Sequence, residues 1–161
     1  TPNHQTGNIT PIKFRFDMAC AGRLGMELQP KQMNAEEKAF ARKAIESYKG
    51  YRDIVMEGDL YRIGTPYDDT GYYGVMYVSK DKKKAVLFTY CTLYQSRTLV
   101  PKYRLYGLDA QTRYKIREQN VDKKRFWFDG GTFTGEYLNH AGINPNLNKI
   151  YDSAVFVLEA E

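Results

Sequence analysis

This 161-residue chain has few residues of the types that most often take part in catalysis or ligand binding. They are two histidines, two cysteines and one tryptophan. His4 and His140 have no serine or cysteine at a spacing typical of a nucleophile and its base. We interpret both as loop residues, although sequence distance leaves a spatial pair open. Cys20 and Cys91 form no CxxC motif and have no histidine at metal-ligand spacing. The sequence therefore predicts two free thiols, no metal site, no cofactor and no catalytic constellation within the chain.

The single tryptophan, Trp127, stands between Phe126 and Phe128 in the run RFWF. On a strand its ring would point to the face opposite the two phenylalanine rings. If the phenylalanines belong to the core, the indole is exposed or covers an interface, and an exposed indole can stack on the apolar face of a sugar ring. Interface packing is the favoured interpretation, and a sugar platform and ordinary core packing are the alternatives.

Charge and glycine patterns weigh against several other function classes. The chain has 24 lysines and arginines against 19 aspartates and glutamates, but the run Lys82–Lys84 lies between two strand-like segments and is typical of a solvated hairpin tip. We therefore expect no nucleic-acid partner. The glycine-rich segments GRLG and FDGGTFTG lack the strand-loop-helix context of a nucleotide-binding loop. No apolar stretch reaches 18 residues, so no membrane partner is expected either.

The elements that must position these residues are indicated first by aromatic content. The chain has 14 tyrosines, 8 phenylalanines and 1 tryptophan, and such rings pack well across a pleated sheet. After Gly58, seven aromatic or β-branched runs alternate with turn clusters, as in an antiparallel sandwich. The predicted strands are 59–64, 73–79, 85–93, 102–108, 113–119, 125–130 and 153–160. They are expected to close a core without the first 58 residues.

The beginning of the chain follows a different pattern. Pro11 at a first helical position and Gly22 at a C-terminal cap position delimit a predicted helix at residues 11–21. The run LGMELQ at residues 24–29 is interpreted as a short strand that ends at Pro30.

A second helix is predicted at residues 35–49, resuming at 51–56, because Asn34 and Glu37 have the spacing of a capping box. A lone strand between two helices has no hydrogen-bonding neighbours of its own. This order is typical of the last unit of a (β/α)8 barrel.

The predicted fold is therefore mainly β, with an antiparallel β-sandwich preceded by a helix-strand-helix remnant of a (β/α)8 barrel. The expected domains are residues 1–56, the partial barrel end, and residues 57–161, the sandwich. An apolar stripe that includes Phe40, Ile45 and Tyr48 would lose its barrel partners in this chain. We expect it to dock on the sandwich or to pair with a second copy, which makes a homo-oligomer a candidate state.

Several motifs occur in an order that resembles the C-terminal end of glycoside hydrolase family 36, the α-galactosidases. These motifs are the Pro-Asn-His-Gln loop (2–5), Gly-x-Leu-Gly (22–25), Gly-Asp-Leu-Tyr-Arg (58–62), Tyr-Val-Ser (77–79), Gly-Leu-Asp (107–109) and Tyr-Asp-Ser-Ala-Val-Phe (151–156). The resemblance covers nearly the whole chain, and the ordered set carries it rather than any one motif.

The resemblance implies a retaining hydrolase that removes terminal α-linked galactose from oligosaccharides such as raffinose or melibiose. Two aspartates perform that chemistry as nucleophile and general acid/base. Both belong to motifs before the Pro-Asn-His-Gln loop, so the resemblance implies that the catalytic pair and the substrate-binding barrel lie upstream of this chain. The chain alone is expected to be inactive.

Three residues remain as weak candidates for substrate contact: His4, Glu27 and Trp127. Glu27 lies on the predicted last barrel strand, where it would orient sugar-binding groups or serve as a structural carboxylate. Two other interpretations of the whole chain compete with the family resemblance. One is a stand-alone carbohydrate-binding β-domain, and the other, less favoured, is a basic nucleic-acid-binding domain.

Overall fold

The structure of the chain, a computed structural model, describes residues 5, 7–25, 30–67, 69–94 and 100–161. Three α-helices, a short 3-10 helix (Pro30–Gln32) and six strands occur in these residues. The helices are α1 (Ile12–Cys20), α2 (Ala35–Glu57) and α3 (Gly135–His140). The strands are β1 (Asp59–Gly64), β2 (Tyr72–Val78), β3 (Lys84–Cys91), β4 (Arg113–Glu118), β5 (Thr132–Thr134) and β6 (Asp152–Ala160).

The two predicted front helices are present. In α2 the capping box is complete: the Glu37 amide donates to Asn34 Oδ1 at 2.8 Å, and the Asn34 amide donates to Glu37 Oε2 at 3.1 Å. The helix does not end at Gly50, as predicted, but continues to Glu57. Tyr51 and Ile54, which follow Gly50, are buried against the sheet, and their burial keeps this segment helical.

The six strands form one fully antiparallel sheet in the order β1-β2-β3-β6-β4-β5. β6 is the last strand along the chain but lies in the middle of the sheet, between β3 and β4. The prediction of a mainly β, antiparallel fold behind a helical front is confirmed. Of the predicted strand at residues 24–29, Leu24 and Gly25 have no regular structure, and the remainder lies outside the described residues.

The central strands are covered on both faces, which explains their nearly unbroken apolar runs. On one face, α1 and α2 pack against side chains such as Val86, Phe88 and Val155. On the other face, Leu87 and Phe156 belong to a second core that α3 and the loops around it complete. The loop and helix residues of this second core include Tyr103, Leu105, Leu108, Phe128, Leu138, Ile143 and Leu147.

Two predicted strands, 102–108 and 125–130, are wrong. Tyr103 and Leu105 do alternate inward and are buried, but the only ladder pairing in the first segment is one bridge between Tyr103 and Ile143. The second segment is a turn that ends at Gly130, which has a positive φ of 77°. In both segments, apolar residues pack onto the core. Their spacing therefore gives the sequence the pattern of a strand, although the segment does not pair as one.

The short elements β5 and α3 were missed. β5 has three residues, fewer than a periodic pattern needs to be recognised. α3 begins where the Thr134 hydroxyl accepts a hydrogen bond of 3.2 Å from the Tyr137 amide. The residues between the last two predicted strands, 125–130 and 153–160, therefore contain part of the second core.

Candidate functional site: a buried carboxylate cluster at the helix-sheet junction

The carboxylate of Asp17, on α1, is fully buried and accepts hydrogen bonds from three side chains. Lys13 Nζ, one helical turn earlier, lies 2.5 Å from Asp17 Oδ2, and the Ser153 hydroxyl donates to the same oxygen at 2.7 Å. Asn120 Nδ2 donates to Asp17 Oδ1 at 3.1 Å. The cluster thus joins α1 to β6 and to the loop after β4.

Two residues beside this cluster have left-handed backbone conformations. Asn120 has a φ of 59°, and Tyr151, two residues before Ser153, has a φ of 61°. Asparagine tolerates this region, whereas a bulky residue such as tyrosine rarely adopts it. The Tyr151 amide donates to the carbonyl of Cys91 at 2.8 Å, and its ring packs edge-on against Phe14. These contacts hold a strained backbone where β6 begins.

Tyrosine hydroxyls bind the end of α1 to the rest of the fold. Tyr90 donates to the carbonyl of Asp17 at 3.0 Å, and Tyr77 donates to the carbonyl of Ala21 at 2.7 Å. Tyr48 donates to the next carbonyl, that of Gly22, at 2.8 Å. Carbonyls at a helix C-terminus have no partner within the helix, so these hydroxyls satisfy groups that burial would otherwise penalise.

A second charged group adjoins the first. Arg125 contacts Glu118 through two nitrogens, of which Nε lies 2.8 Å from Glu118 Oε1. Arg125 Nη1 donates to Asp152 Oδ1 at 3.0 Å, and Nη2 donates to the carbonyl of Ser153 at 2.7 Å. Burial raises the pKa of Glu118, and the hydrogen bonds and charge of Arg125 counteract that rise only in part. Ser153 is therefore held by both charged groups.

The arrangement is suited to anchoring rather than to catalysis. Asp17 has most of its carboxylate lone pairs occupied by three donors and has no exposed surface, so a substrate has no access to it. A 490 Å³ hollow beside Glu118 is open and lined by charges of both signs, such as Lys123 and Asp129. Within the described ranges, no three His, Cys, Asp or Glu side chains are grouped so as to hold a metal ion.

The residues singled out from the sequence do not meet at this cluster. His4 and Glu27 lie outside the described residues, so their roles stay predictions. His140 is exposed in the last turn of α3. Cys20 and Cys91 are buried free thiols, as predicted.

Trp127 is 70% exposed, and Phe128 is fully buried. The indole is thus exposed, but it does not point away from both phenylalanine rings, because it contacts Phe128 edge-on and the segment is a turn and not a strand. The described part of the chain contains no helix long and apolar enough to cross a membrane.

Sequence reasoning missed the cluster because its members lie far apart along the chain. One signal was available: Asp17 is a lone carboxylate among aromatic and apolar residues of a predicted helix. A second was the Tyr-Asp-Ser motif, which contributes Asp152 and Ser153. Neither signal indicated that Asp17 and Ser153 would form a hydrogen bond with each other.

Comparison with known proteins identifies two family regions. Residues 72–158, more than half of the chain, match the family described as the glycosyl hydrolase family 36 C-terminal domain. Residues 1–58 match the family described as melibiase. The cluster spans both regions, since Asp17 lies in the second match and Ser153 in the first.

The similar proteins are α-galactosidases. Alpha-galactosidase 2 of Hypocrea jecorina is 33% identical over 162 residues, which cover 99% of this chain and 20% of that protein. The bifunctional alpha-galactosidase/sucrose kinase AgaSK of Mediterraneibacter gnavus is 31% identical over 156 residues, which cover 96% of this chain and 16% of that protein.

Solved structures give the same result. A variant of the GH36 alpha-galactosidase AgaA from Geobacillus stearothermophilus in complex with raffinose superimposes with a TM-score of 0.87 at 27% identity, over 100% of this chain and 21% of that one. The galactosidase domain of AgaSK gives a TM-score of 0.86 at 29% identity. The chain spans about a fifth or less of the length of the relatives it matches. The chain belongs to glycosyl hydrolase family 36.

Proposed function

We propose that this chain is the C-terminal part of an α-galactosidase that hydrolyses terminal α-linked galactose from oligosaccharides by a retaining mechanism. The observation that carries the proposal is the match of nearly the whole chain, in sequence and in fold, to proteins named as α-galactosidases, together with the match of residues 72–158 to a family described as a C-terminal domain. Two solved structures of variants of one relative, AgaA, are described in complex with raffinose and with stachyose, which supports galactosyl oligosaccharides as the substrate class.

In this proposal the catalytic pair is two aspartates that lie in motifs upstream of the chain. A retaining glycosidase uses one carboxylate as nucleophile and a second as general acid/base, held about 5 Å apart. The carboxylates of the buried cluster are unsuited to either role, because donors occupy Asp17, and Arg125 holds Glu118 and Asp152.

Residues 1–56 would form the end of the catalytic barrel, and residues 57–161 the C-terminal domain. The junction between these parts would be the buried carboxylate cluster, together with the tyrosine hydroxyls at the end of α1. A fixed junction is useful to a barrel enzyme, because the last barrel elements help to shape the active-site face. The role of the C-terminal domain would then be to hold the end of the barrel in place.

The proposal is tested by comparing the 161-residue chain with the full-length protein, both assayed with a nitrophenyl α-galactoside. We expect hydrolysis by the full-length protein and none by the chain alone. A nitrophenyl β-galactoside is the matched control substrate, and it should not be hydrolysed by either. A full-length protein without α-galactosidase activity would contradict the proposed activity. Turnover by the chain alone, lost on mutation of one of its carboxylates, would contradict the upstream location of the catalytic pair.

A further inference from the structure

The indole of Trp127 is exposed and yet held firmly. Its ring contacts Phe128 edge-on, with centroids 5.8 Å apart and planes at 87°, and Phe133 in the same way, at 5.7 Å and 85°. Phe128 is completely buried, and Phe133 packs against the same core. Two rings anchored in the core therefore fix the indole, while 70% of Trp127 stays accessible. A ring fixed in this way loses little conformational freedom when a ligand binds.

A third ring extends the surface. Tyr137, at 41% exposure, stacks on Phe133 with centroids 5.4 Å apart and planes at 21°. Trp127, Phe133 and Tyr137 are called the aromatic strip below. β5 and α3 carry two of its members, and the turn before β5 carries the third. The strip lies at the edge of the sheet, because β5 is a terminal strand.

The strip lies on the side of the sheet away from α1 and α2. Its supporting rings belong to the core that contains Leu87 and Phe156, whereas the front helices pack against Val86 and Phe88 on the opposite face. The front helices belong to the region that matches the melibiase family. A barrel continuing from them would adjoin the opposite face, which argues against barrel packing as the reason for the exposed indole.

The size and surroundings of the strip favour a small ligand over a protein partner. A fully exposed aromatic side chain offers about 150 to 250 Å², and the strip contains three partly exposed rings. A stable protein interface buries about 800 Å² on each partner. A polar side chain lies beside the strip: Glu136, next to Tyr137 on α3, is exposed. An apolar ring face with polar groups beside it matches the two-sided chemistry of a sugar.

We propose that the aromatic strip is a binding surface for α-galactosyl oligosaccharides, separate from the catalytic barrel. The inference rests on the proposed function for its ligand class. The axial C4 hydroxyl of galactose leaves the C3, C4 and C5 hydrogens together on one ring face, and that face stacks on the Trp127 indole. The Tyr137 hydroxyl and the Glu136 carboxylate supply hydrogen bonds to the sugar hydroxyls. Tyr137 gives the strip room for a second sugar ring.

Trp127 is the only tryptophan in the chain, so its fluorescence reports on the strip directly. The 161-residue chain is titrated with raffinose, and sucrose, which is raffinose without its galactosyl group, is the control ligand. We expect raffinose to change the Trp127 emission in a saturable manner and sucrose to leave it unchanged. The chain lacks the proposed catalytic pair, so this result does not depend on hydrolysis.

Variants are examined by saturation-transfer NMR on raffinose, which needs no tryptophan. Trp127→Ala should abolish the transfer, and Tyr137→Ala should weaken binding roughly tenfold, since one aromatic contact is worth up to about 1.5 kcal/mol. Tyr67→Ala is the matched control, because Tyr67 is 94% exposed and belongs to the turn between β1 and β2. It should bind raffinose like the unmodified chain.

Three results would overturn the inference. The first is an unchanged emission with raffinose in a chain whose circular dichroism shows that it is folded. The second is an equal response to sucrose and raffinose. The third is concentration-dependent self-association that Trp127→Ala removes, which would make a second copy the occupant. Failure of the proposed function would appear differently, as a full-length protein that does not hydrolyse α-galactosides.

Discussion

The hydroxyl of Ser153 donates a 2.7 Å hydrogen bond to the buried carboxylate of Asp17 and thereby connects β6, in the middle of the sheet, to α1. The same carboxylate oxygen lies 2.5 Å from Lys13 Nζ. Lys13 also donates to the carbonyl of Ser153 at 3.0 Å. The three residues form a closed set of contacts, so the position of α1 on the sheet depends on a buried charge with specific partners.

Replacing Asp17 with alanine should destabilise the chain strongly. The substitution leaves the Lys13 ammonium, the Ser153 hydroxyl and the Asn120 amide without their acceptor. Removing one partner of a buried ion pair costs about 3 to 5 kcal/mol, and we expect the lower end of this range, since Lys13 keeps 21% of its side chain exposed. Urea denaturation followed by circular dichroism measures the change.

The control for this substitution is Asp122→Ala. Asp122 also pairs with a lysine, Lys43, at 2.5 Å, but its side chain is 92% exposed. Exposed pairs contribute little to stability, so Asp122→Ala should unfold nearly like the unmodified chain. Equal losses for the two variants would show that burial of the Asp17 cluster is not what makes it important.

Removing the front of the chain should disrupt the sheet as well. The sequence indicated that residues 57–161 could close a core alone, but α1 and α2 cover one whole face of the central strands. Without them, Val86, Phe88, Tyr90 and Val155 become exposed. We expect a chain of residues 57–161 to melt without cooperativity and to bind a dye specific for exposed apolar surface. A cooperative melt at an unchanged temperature would establish that the C-terminal part is independent.

The sequence predicted the elements whose signals are local. The capping box of Asn34 and Glu37 is such a signal, and so are the uninterrupted apolar runs of β3 and β6. It did not predict the second layer, because Tyr103 and Leu105 alternate as in a strand while packing as a loop. The Asp17 cluster was also missed. Two partners of Asp17, Asn120 and Ser153, lie more than 100 positions from it along the chain, and the pairing of β4 and β6 in the sheet brings them together.

Alkaline pH should destabilise the fold through buried groups, and not only through the ionisation of exposed tyrosines. Burial raises the pKa of the Cys20 thiol from 9.0 to about 11 and the pKa of the Tyr72 hydroxyl from 10.0 to about 12. The folded chain therefore holds both protons more tightly than the unfolded chain. Their contribution to stability is fully present below about pH 9 and is lost as the pH rises through 11 and 12.

Denaturation at increasing pH tests this expectation, with the free energy of unfolding predicted to fall from pH 9 upward. Cys20→Ala should flatten the first part of that decline, whatever its effect on stability at neutral pH. A thiol reagent should label Cys20 and Cys91 only on unfolding, because both are completely buried. An unchanged pH slope in Cys20→Ala would contradict the role of this thiol.

Substitutions at two glycines can distinguish the cost of a strained backbone conformation from the cost of a steric clash. Gly130 and Gly142 have φ values of 77° and 68°, so alanine is strained at both positions. At Gly142 an added Cβ would also lie 2.2 Å from the carbonyl oxygen of Tyr103, whereas at Gly130 no atom lies within 4 Å. We expect Gly130→Ala to cost about 1 kcal/mol and Gly142→Ala roughly 2 to 4 kcal/mol in unfolding free energy. Similar losses would mean that the loop before Leu105 moves aside easily.

The central place of β6 also constrains how the chain is made. β1, β2 and β3 form one consecutive antiparallel unit and β4 pairs with β5, but only β6 joins the two units. On the ribosome, residues 59–134 can emerge and pair locally while β3 and β4 still present unpaired edges. These edges stay open to other nascent chains until residues 152–160 have left the exit tunnel. The emergence of β6 from the ribosome, rather than stepwise addition of strands, therefore determines when this sheet is protected from aggregation.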